Sequence, residues 1–236
     1  MCARVRLSTD YSELKIKFWA NLDRPAPNLR PSWNIAPTQD LTVVRLAGGE
    51  RILETMRWGL IPAWCKDPKL AYSTFNARAE TLDTKSTFRD AWRAGRRCLV
   101  ITNGFYEWNK RVGTKQPYAI ARANDDFTAM AGLWEEWASP TGERIKTVTI
   151  VTTDANDLIR PLHDRMPVIL AEEDWPKWLG ETPASPAALK AILVPYPADK
   201  MALWPVDKRV NNWRNDSPDL IRPVELEPKP DKDPRL

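Results

Sequence analysis

Cys2 has the most distinctive chemical position in the chain, because it directly follows the initiator methionine. A small second residue permits removal of Met1, and the new first residue then carries both an α-amine and a thiol. Their reference pKa values, about 7.7–8.0 and about 8.5, leave useful fractions of both nucleophiles near neutral pH. The amine can attack an aldehyde to give a Schiff base, and the thiol can then close a thiazolidine ring. Position alone also suits an incidental small residue at a frayed terminus.

Four further segments, residues 32–38, 76–81, 103–108 and 162–167, place polar side chains among aromatic residues or prolines. Asn76 opens one of them, and Glu107 lies between Tyr106 and Trp108 in a strand-like run, where a carboxylate is a candidate proton donor or acceptor. His163 is the only histidine, so any histidine chemistry must use it. Each also has a structural interpretation: Asn76 could bond loop backbone groups, Glu107 could face outward along an edge strand, and His163 could be a hydrogen-bonded structural residue.

The distribution of charge favours the first half of the chain as the surface for a polyanion. Residues 1–100 hold 17 Lys and Arg against 10 Asp and Glu, a net of +7, whereas residues 151–200 hold 5 against 8, a net of −3. Trp64 and Trp108 have polar or charged neighbours, and exposed indole rings on a basic surface can stack on unpaired bases. Nucleic-acid binding is therefore one class of function that the composition permits.

Several other classes are excluded. The cysteines Cys2, Cys65 and Cys98 form no CxxC pair, which argues against a disulfide framework and a four-cysteine zinc site. The chain lacks the common nucleotide-binding, hydrolase and metal-binding signatures, so we expect no metal and no cofactor. No run approaches the roughly 18 uncharged apolar residues of a membrane span, and residues 1–30 lack the apolar region behind a basic region that is typical of a signal peptide. We expect an intracellular protein that does not bind membranes.

Runs rich in β-branched and aromatic residues predict strands with short helices between or after them, without the regular alternation of a parallel α/β fold. The sequence predicts an α+β fold with a mainly antiparallel β core and peripheral short helices. Strands are predicted at residues 1–8, 41–46, 52–58, 98–101, 105–108, 118–121, 128–133 and 146–152, and helices at 11–18, 87–94, 156–160, 172–179 and 186–192.

Local signals refine this prediction. Gly48 and Gly49 predict a hairpin, and residues 24–37 are a proline-rich loop. Asp154 and Ser185 are predicted helix N-caps, and Pro186 suits a first helical turn. We expect one domain over residues 1–222, followed by a charged, proline-rich tail at 223–236 that is disordered or loosely docked.

Five segments in this order resemble the SRAP (SOS response-associated peptidase-like) family. They are residues 2–4, 33–37, 76–81, 104–108 and 163–167, and two shorter segments that also resemble the family follow at 204–206 and 210–212. The resemblance runs from residue 2 to about residue 224. Two positions depart from the family pattern: Ala3 replaces the usual glycine, and Cys65 replaces an aromatic residue that often follows the position of Trp64.

The resemblance implies a compact, barrel-like β fold around a positively charged cleft. It implies covalent shielding of abasic sites in single-stranded DNA during the DNA damage (SOS) response. An abasic deoxyribose opens to an aldehyde, which the amine and thiol of Cys2 would capture. On the family pattern, Asn76 orients the attacking group, and Glu107 and His163 move protons. The resemblance also implies peptidase-type removal of Met1, and a Schiff base at this position would permit AP-lyase cleavage of the strand.

The same resemblance suggests which residues contact DNA. The predicted contacts are Arg4, Asn34, Pro37, Trp64, Lys66, Arg78 and Trp108, with cationic side chains on phosphates and indole rings against bases. We expect a cytoplasmic monomer, associated with the bacterial nucleoid, whose partner is single-stranded DNA that contains abasic sites. Two alternatives stay open: a cysteine peptidase or amidase that uses Cys2, His163 and Glu107, and a single-stranded DNA-binding module that forms no covalent bond.

Overall fold

The computed structural model describes residues 2–21, 29–109, 115–124 and 126–226. The strands are β1 Val5–Leu7, β2 Ser32–Ile35, β3 Asp40–Ala47, β4 Glu50–Trp58, β5 Asn76–Arg78, β6 Arg97–Thr102, β7 Gly104–Asn109, β8 Gln116–Arg122, β9 Thr128–Ala138, β10 Arg144–Asp154, β11 Arg165–Pro167 and β12 Met201–Pro205. The α-helices are α1 Tyr11–Phe18, α2 Ser86–Arg93, α3 Trp175–Leu179 and α4 Pro186–Ala191.

Five strands close into a barrel. The β3–β4 hairpin turns at Gly48 and Gly49, whose positive φ angles of 63° and 84° suit the tight turn. From β3 the sheet continues through β6 and β9 to β10, and β10 closes the ring by pairing in parallel with β4. The barrel interior supplies much of the apolar core, and closure leaves these five strands without a free edge.

A second sheet, in the order β12-β8-β7-β1-β2, carries the N-terminal segment. Val5 of β1 lies opposite Phe105 of β7, and the Tyr106 amide donates to the Arg4 carbonyl at 2.9 Å. This pairing brings the residue that follows Met1 close to the strand that contains Glu107. The second sheet thus joins the first residues of the chain to the middle of the sequence.

Buried tryptophans fix the segments around the barrel. Trp58 is fully buried at the end of β4, and its indole N–H donates to the Phe75 carbonyl at 2.8 Å. Trp178 donates in the same way to the Cys98 carbonyl at 2.9 Å. An indole N–H that is buried needs an acceptor, so these two bonds position the backbone that they reach.

The predicted fold class, α+β with a mainly antiparallel core, is confirmed, and so is the Gly48-Gly49 hairpin. Ser185 is an N-cap as predicted, because its hydroxyl accepts from the Ala188 amide at 3.1 Å. The predicted helix at residues 156–160 is wrong. That segment is a turn, whose Arg160 and Ile159 amides bond back to Asn156.

Two further expectations are corrected. Asp154 caps no helix: it ends β10 and pairs with Arg165. The proline-rich segment contains strand β2, which pairs with β1, although residues 24–28 of this segment lie outside the described residues. Prolines at 31 and 37 lie outside the ends of β2, which is why a proline-rich composition still admits a strand.

The start of the predicted tail is bonded to the second sheet. Pro223 pairs with Val206, and the Val224 amide donates to the Pro205 carbonyl at 3.0 Å. Residues 227–236 lie outside the described residues, so the single-domain boundary at 222 stays a prediction. In the part of the chain that is described, no helix has the length and apolar character needed to cross a membrane.

Replacing Gly104 with alanine should destabilise the protein strongly. Gly104 has a φ of 148°, and a Cβ there would overlap the Ile120 carbonyl oxygen. We expect Gly104→Ala to lower the free energy of unfolding by about 3 kcal/mol, from crowding plus backbone strain. Gly48→Ala is the control, because its φ is 63° but its surroundings are open; it should cost about 1 kcal/mol. Equal losses in urea denaturation would contradict this account.

Candidate functional site

Cys2 is buried and its backbone is hydrogen-bonded, so it does not belong to a frayed terminus. Its side chain is 1% exposed and lies in the main apolar core. The Asn76 side-chain amide donates to the Cys2 carbonyl at 2.6 Å, and the Cys2 thiol lies 4.0 Å from the Arg4 carbonyl oxygen. The structure therefore brings together two of the predicted catalytic residues, which are 74 positions apart in the sequence.

Burial sets the protonation state of the Cys2 thiol. Loss of solvent, together with a smaller effect of the negative charge of Glu107, raises its pKa to about 12. At neutral pH the thiol keeps its proton.

Glu107 lies in β7 with its side chain 2% exposed. Side chains alternate along a strand, so Glu107 shares a face with Phe105, which packs in the same core as Cys2. One carboxylate oxygen accepts from the Trp108 amide at 3.1 Å. A buried carboxylate beside a thiol and an amide is suited to accept or deliver a proton during a reaction at Cys2.

Asn76 begins β5, next to Ile150 of β10, and the Trp58–Phe75 hydrogen bond fixes the residue before it. Its amide group donates to the Cys2 carbonyl. Its Oδ1 is buried, and no donor among the described residues reaches that atom. A buried amide oxygen normally has a partner, so Asn76 offers an acceptor for an N–H or O–H group that enters the site.

His163 lies in the turn between β10 and β11, with its side chain 17% exposed. The Arg165 backbone amide donates to Nδ1 at 3.0 Å, and an Asp164 carboxylate oxygen lies 2.7 Å from the same nitrogen. Nδ1 cannot accept one hydrogen bond and donate another at once. Nδ1 accepts from the amide when it carries no proton and donates to Asp164 when it carries one, so the two contacts suit a ring that gains and loses a proton.

Arg165 connects the histidine segment to the asparagine segment. Its guanidinium group is 10% exposed and donates to Glu80 at 2.9 Å, to Asp154 at 2.7 Å and to the Thr152 carbonyl at 2.7 Å. Glu80 follows β5, and Arg165 begins β11, while β5 and β11 both pair with the last residues of β10. The sequence motif contained Arg165, but sequence reasoning assigned it no role.

Arg4 and Asn34, two predicted DNA contacts, are bonded to the protein itself. Arg4 donates to the Asn34 side-chain oxygen and to the Val210 carbonyl, both at 2.8 Å. Asn34 is 1% exposed and donates to backbone carbonyls between residues 210 and 215. Both side chains hold the 207–216 segment on the N-terminal strand, and their contact with DNA stays a prediction.

Trp108 faces away from Glu107, as alternation along β7 requires. It packs with Tyr106 and Val210 in a small separate cluster, and its indole N–H donates to the Asn211 side chain at 2.6 Å. The Arg4 guanidinium lies 5.8 Å from its ring centroid. These contacts give Trp108 a packing role in the structure; its stacking on a base stays a prediction.

The remaining predicted contacts lie on exposed or half-exposed segments. Pro37 is half-buried in a turn whose next residue, Thr38, has a φ of 76°, a strained conformation for a β-branched residue. Arg78 is exposed at the end of β5. The nearby Glu80 carboxylate pairs with Arg165.

Trp64 and Lys66 lie on a separate loop, where Trp64 is 56% exposed and Lys66 is exposed. Cys65, between them, packs against a small cluster containing Trp137, whose indole N–H donates to the Cys65 carbonyl at 2.6 Å. The cysteine at this departure from the family pattern thus anchors the loop that presents Trp64. Ala3, the other departure, is half-buried, and its carbonyl accepts from Arg4 at 3.3 Å.

Comparison with known proteins identifies similar chains. A family model described as SOS response associated peptidase (SRAP) matches residues 1–213. The abasic site processing protein YoqW of Bacillus subtilis is 40% identical over 225 residues, covering 94% of this chain and 99% of its own. The abasic site processing protein HMCES of Gallus gallus is 37% identical over 230 residues, covering 84% of this chain and 67% of its own.

Solved structures share the fold. A crystal structure of a protein from Bordetella bronchiseptica has a TM-score of 0.75 and 30% identity, covering 87% of this chain and 100% of that one. A protein from Bacteroides thetaiotaomicron has a TM-score of 0.83 at 24% identity, covering 95% and 100%, and this likeness concerns the fold alone. The barrel and second sheet are thus a known arrangement.

Burial predicts the order in which the cysteines react with an alkylating reagent. Iodoacetamide at pH 8 should modify the half-exposed Cys65 in the folded protein and leave Cys2 and Cys98 intact, because burial raises the pKa of both thiols. Peptide mass mapping checks this result. In urea all three should react, and labelling of Cys2 as fast as Cys65 in the folded state would overturn the prediction.

Arg165→Ala should lower the free energy of unfolding by about 2 kcal/mol, since it leaves several charge-assisted hydrogen bonds unmade around a buried group. Arg160→Ala is the matched control, because its ion pair with Asp157 is exposed. That control should change stability by no more than about 0.5 kcal/mol. Unfolding midpoints in urea measure both, and an Arg165→Ala midpoint equal to that of the parent would disprove the connecting role.

Proposed function

Since this chain belongs to the SOS response associated peptidase (SRAP) family, we propose that it captures abasic sites in DNA covalently through Cys2. The observation that carries the proposal is the set of polar groups around this residue: Asn76 holds the Cys2 carbonyl at 2.6 Å, and the buried Glu107 shares a strand face with Phe105, which packs in the same core as Cys2. The relatives YoqW and HMCES, both named abasic site processing proteins, support the substrate class.

The first step exposes the α-amine of Cys2. We propose that water adds to the Met1 carbonyl carbon, the Met1–Cys2 peptide bond breaks, and methionine leaves. Glu107 and His163 are the groups suited to move protons in this hydrolysis. The hydrogen bond from Asn76 to the Cys2 carbonyl supports the proposal, because it fixes the cysteine while the residue before it is removed.

The second step joins the protein to the sugar. The neutral amine adds to the C1 carbonyl of the open-chain abasic deoxyribose, and loss of one water gives an imine. The thiol then adds to C1 and its proton passes to the imine nitrogen, which closes the thiazolidine. Amine, thiol and aldehyde thus become one ring plus one water. The buried Oδ1 of Asn76 supplies an acceptor for the incoming amine or for a sugar hydroxyl.

The imine also permits a side reaction. It acidifies the C2 position of the sugar, so loss of a C2 proton and expulsion of the 3′ phosphate would cleave the strand. Ring closure by the thiol removes the imine and competes with this cleavage. AP-lyase activity should therefore be minor while Cys2 is intact.

We propose single-stranded DNA as the substrate form and a cytoplasmic monomer as the working state. Unpaired bases are free to stack on exposed indoles such as Trp64, and Lys66 and Arg78 are exposed cations available for phosphates. Binding of this kind depends strongly on salt concentration.

Cys2→Ala should abolish a heat-stable adduct with an abasic oligonucleotide. Alanine keeps the α-amine but lacks the thiol, so the thiazolidine ring cannot close. Intact mass spectrometry should find, for the parent protein, the chain without Met1 plus the oligonucleotide minus one water. Cys65→Ala is the control and should give the parent yield. An adduct of unchanged yield in Cys2→Ala, or one that retains Met1, would overturn the mechanism.

Glu107→Gln and His163→Ala should slow adduct formation by roughly 100-fold without abolishing it, as expected for groups that move protons. Quenched time courses on denaturing gels measure the rates. Parent rates in both variants would remove these residues from the chemistry while leaving the role of Cys2 intact.

A further inference from the structure

Trp213 is an exposed indole that neither the sequence analysis nor the proposed chemistry uses. It is 45% exposed, and the Arg214 guanidinium lies 4.8 Å from its ring centroid. Single exposed hydrophobic residues are common and alone indicate nothing. What distinguishes Trp213 is the backbone that carries it, residues 207–216, which we call the Trp213 loop.

Hydrogen bonds from Asn34 in β2 hold the backbone of the Trp213 loop. The buried Asn34 amide donates to three of its carbonyls, those of Val210 at 3.3 Å, Asn212 at 3.1 Å and Asn215 at 2.7 Å. Within the loop, the Arg214 amide donates to the Asn212 side chain at 3.1 Å. A loop bound this densely presents Trp213 in a fixed position, so contact with a ligand costs little ordering entropy.

The Trp213 loop is also tied to the reacting terminus. Arg4, two residues after Cys2, donates to the Val210 carbonyl at 2.8 Å, and Trp108, next to Glu107, donates to Asn211 at 2.6 Å. The segments that carry Cys2 and Glu107 thus each bond to this loop through a neighbouring residue.

The Trp213 loop carries exposed cations. Arg209 pairs with Asp207 at 3.1 Å and with Asp219 at 2.6 Å, and Asp216 accepts from the Trp33 amide at 2.6 Å. Lys208 and Arg214 are exposed, and Arg214 lies over the Trp213 ring. An indole flanked by cations is the combination that binds single-stranded nucleic acid without regard to sequence.

We propose that Trp213 stacks on a base that neighbours the abasic nucleotide, with Arg214 and Lys208 on the adjoining phosphates. This inference rests on the proposed function, since it extends the DNA surface of the same site. It adds a second stacking residue, on the loop that bonds to Arg4, to the predicted stacking residue Trp64. Stacking of this kind should be independent of base identity.

The test measures binding separately from covalent capture. The probe is a fluorescein-labelled single-stranded oligonucleotide with a tetrahydrofuran abasic analogue, which has no aldehyde. Trp213→Ala should weaken binding about tenfold, within the range for one stacked base, and Trp213→Phe should keep most of the affinity. The stacked base lies on one side of the abasic nucleotide. Removing the bases on that side should make the affinities of Trp213→Ala and the parent equal, whereas removing the bases on the other side should leave the difference in affinity unchanged.

Trp19→Ala is the matched control. Trp19 is 67% exposed and lies 5.2 Å from the Arg51 guanidinium, so it resembles Trp213 in exposure and in its cationic neighbour. Arg51 lies seven residues before Trp58 along β4, which corresponds to about 23 Å of strand. Trp58 is at the end of β4 that bonds to Phe75, the residue before Asn76. Trp19→Ala should bind the probe like the parent.

Three results would overturn the inference: Trp213→Ala binding within twofold of the parent, Trp213→Phe as weak as Trp213→Ala, or an equal loss in Trp19→Ala. Equal urea midpoints for the variants confirm that the fold is intact. The parent protein is also incubated with a true abasic oligonucleotide. Absence of an adduct there would defeat the proposed function, whereas a normal adduct with unaltered Trp213→Ala binding would defeat only the stacking role.

Discussion

The hydrogen bond between Asn76 and the Cys2 carbonyl determines what this terminus can do. The first residues of a chain ordinarily fray, and a frayed nucleophile spends most of its time out of position. Here a 2.6 Å bond and burial in the main core fix Cys2. A nucleophile held in one position gains the large rate advantage of an intramolecular reaction once its substrate is bound. The fold therefore contributes to the chemistry chiefly by holding its own second residue.

That bond is effective because the barrel holds Asn76 in turn. Strand β5 pairs with β10, the barrel strand whose opposite edge carries β11. Arg165 reaches across this end of β10 to Glu80 and Asp154, so the asparagine and histidine segments cannot separate without breaking buried charge-assisted bonds. Cys2 and Asn76 are 74 positions apart and are joined by a hydrogen bond, while strand pairing plus one guanidinium group connects the segments that carry Asn76 and His163.

Local patterns in the sequence were sufficient for the hairpin at Gly48-Gly49, the Ser185 cap and most central strands, because each depends on neighbours in the chain. The strands β5 and β11 were missed, since three residues carry too little periodicity to mark a strand. The predicted helix at residues 156–160 failed because tertiary bonds of Asn156, including one to the Tyr196 carbonyl at 2.7 Å, override local propensity.

The same limit applies to the site. The residue types of Cys2, Asn76 and Glu107 identified them as candidates, but the structural roles of Arg4 and Asn34 depend on carbonyls more than 170 residues away. No local pattern contains such a partner. Trp213 could not be identified from the sequence for the same reason, because its loop is held by hydrogen bonds from Asn34 and Arg4, which are distant in the chain.

A protonated Cys2 thiol suits the proposed capture better than the peptidase alternative. Burial raises the pKa of this thiol to about 12, so it keeps its proton at neutral pH. A cysteine peptidase that acts on other chains needs the thiolate as its first nucleophile, so this environment opposes that activity. Thiazolidine formation has no such need, because the amine attacks first and the thiol then adds within a five-membered ring, where effective concentrations are very high. The thiol also supplies the proton that the imine nitrogen takes up. Burial that would disable a peptidase is therefore compatible with capture of an aldehyde.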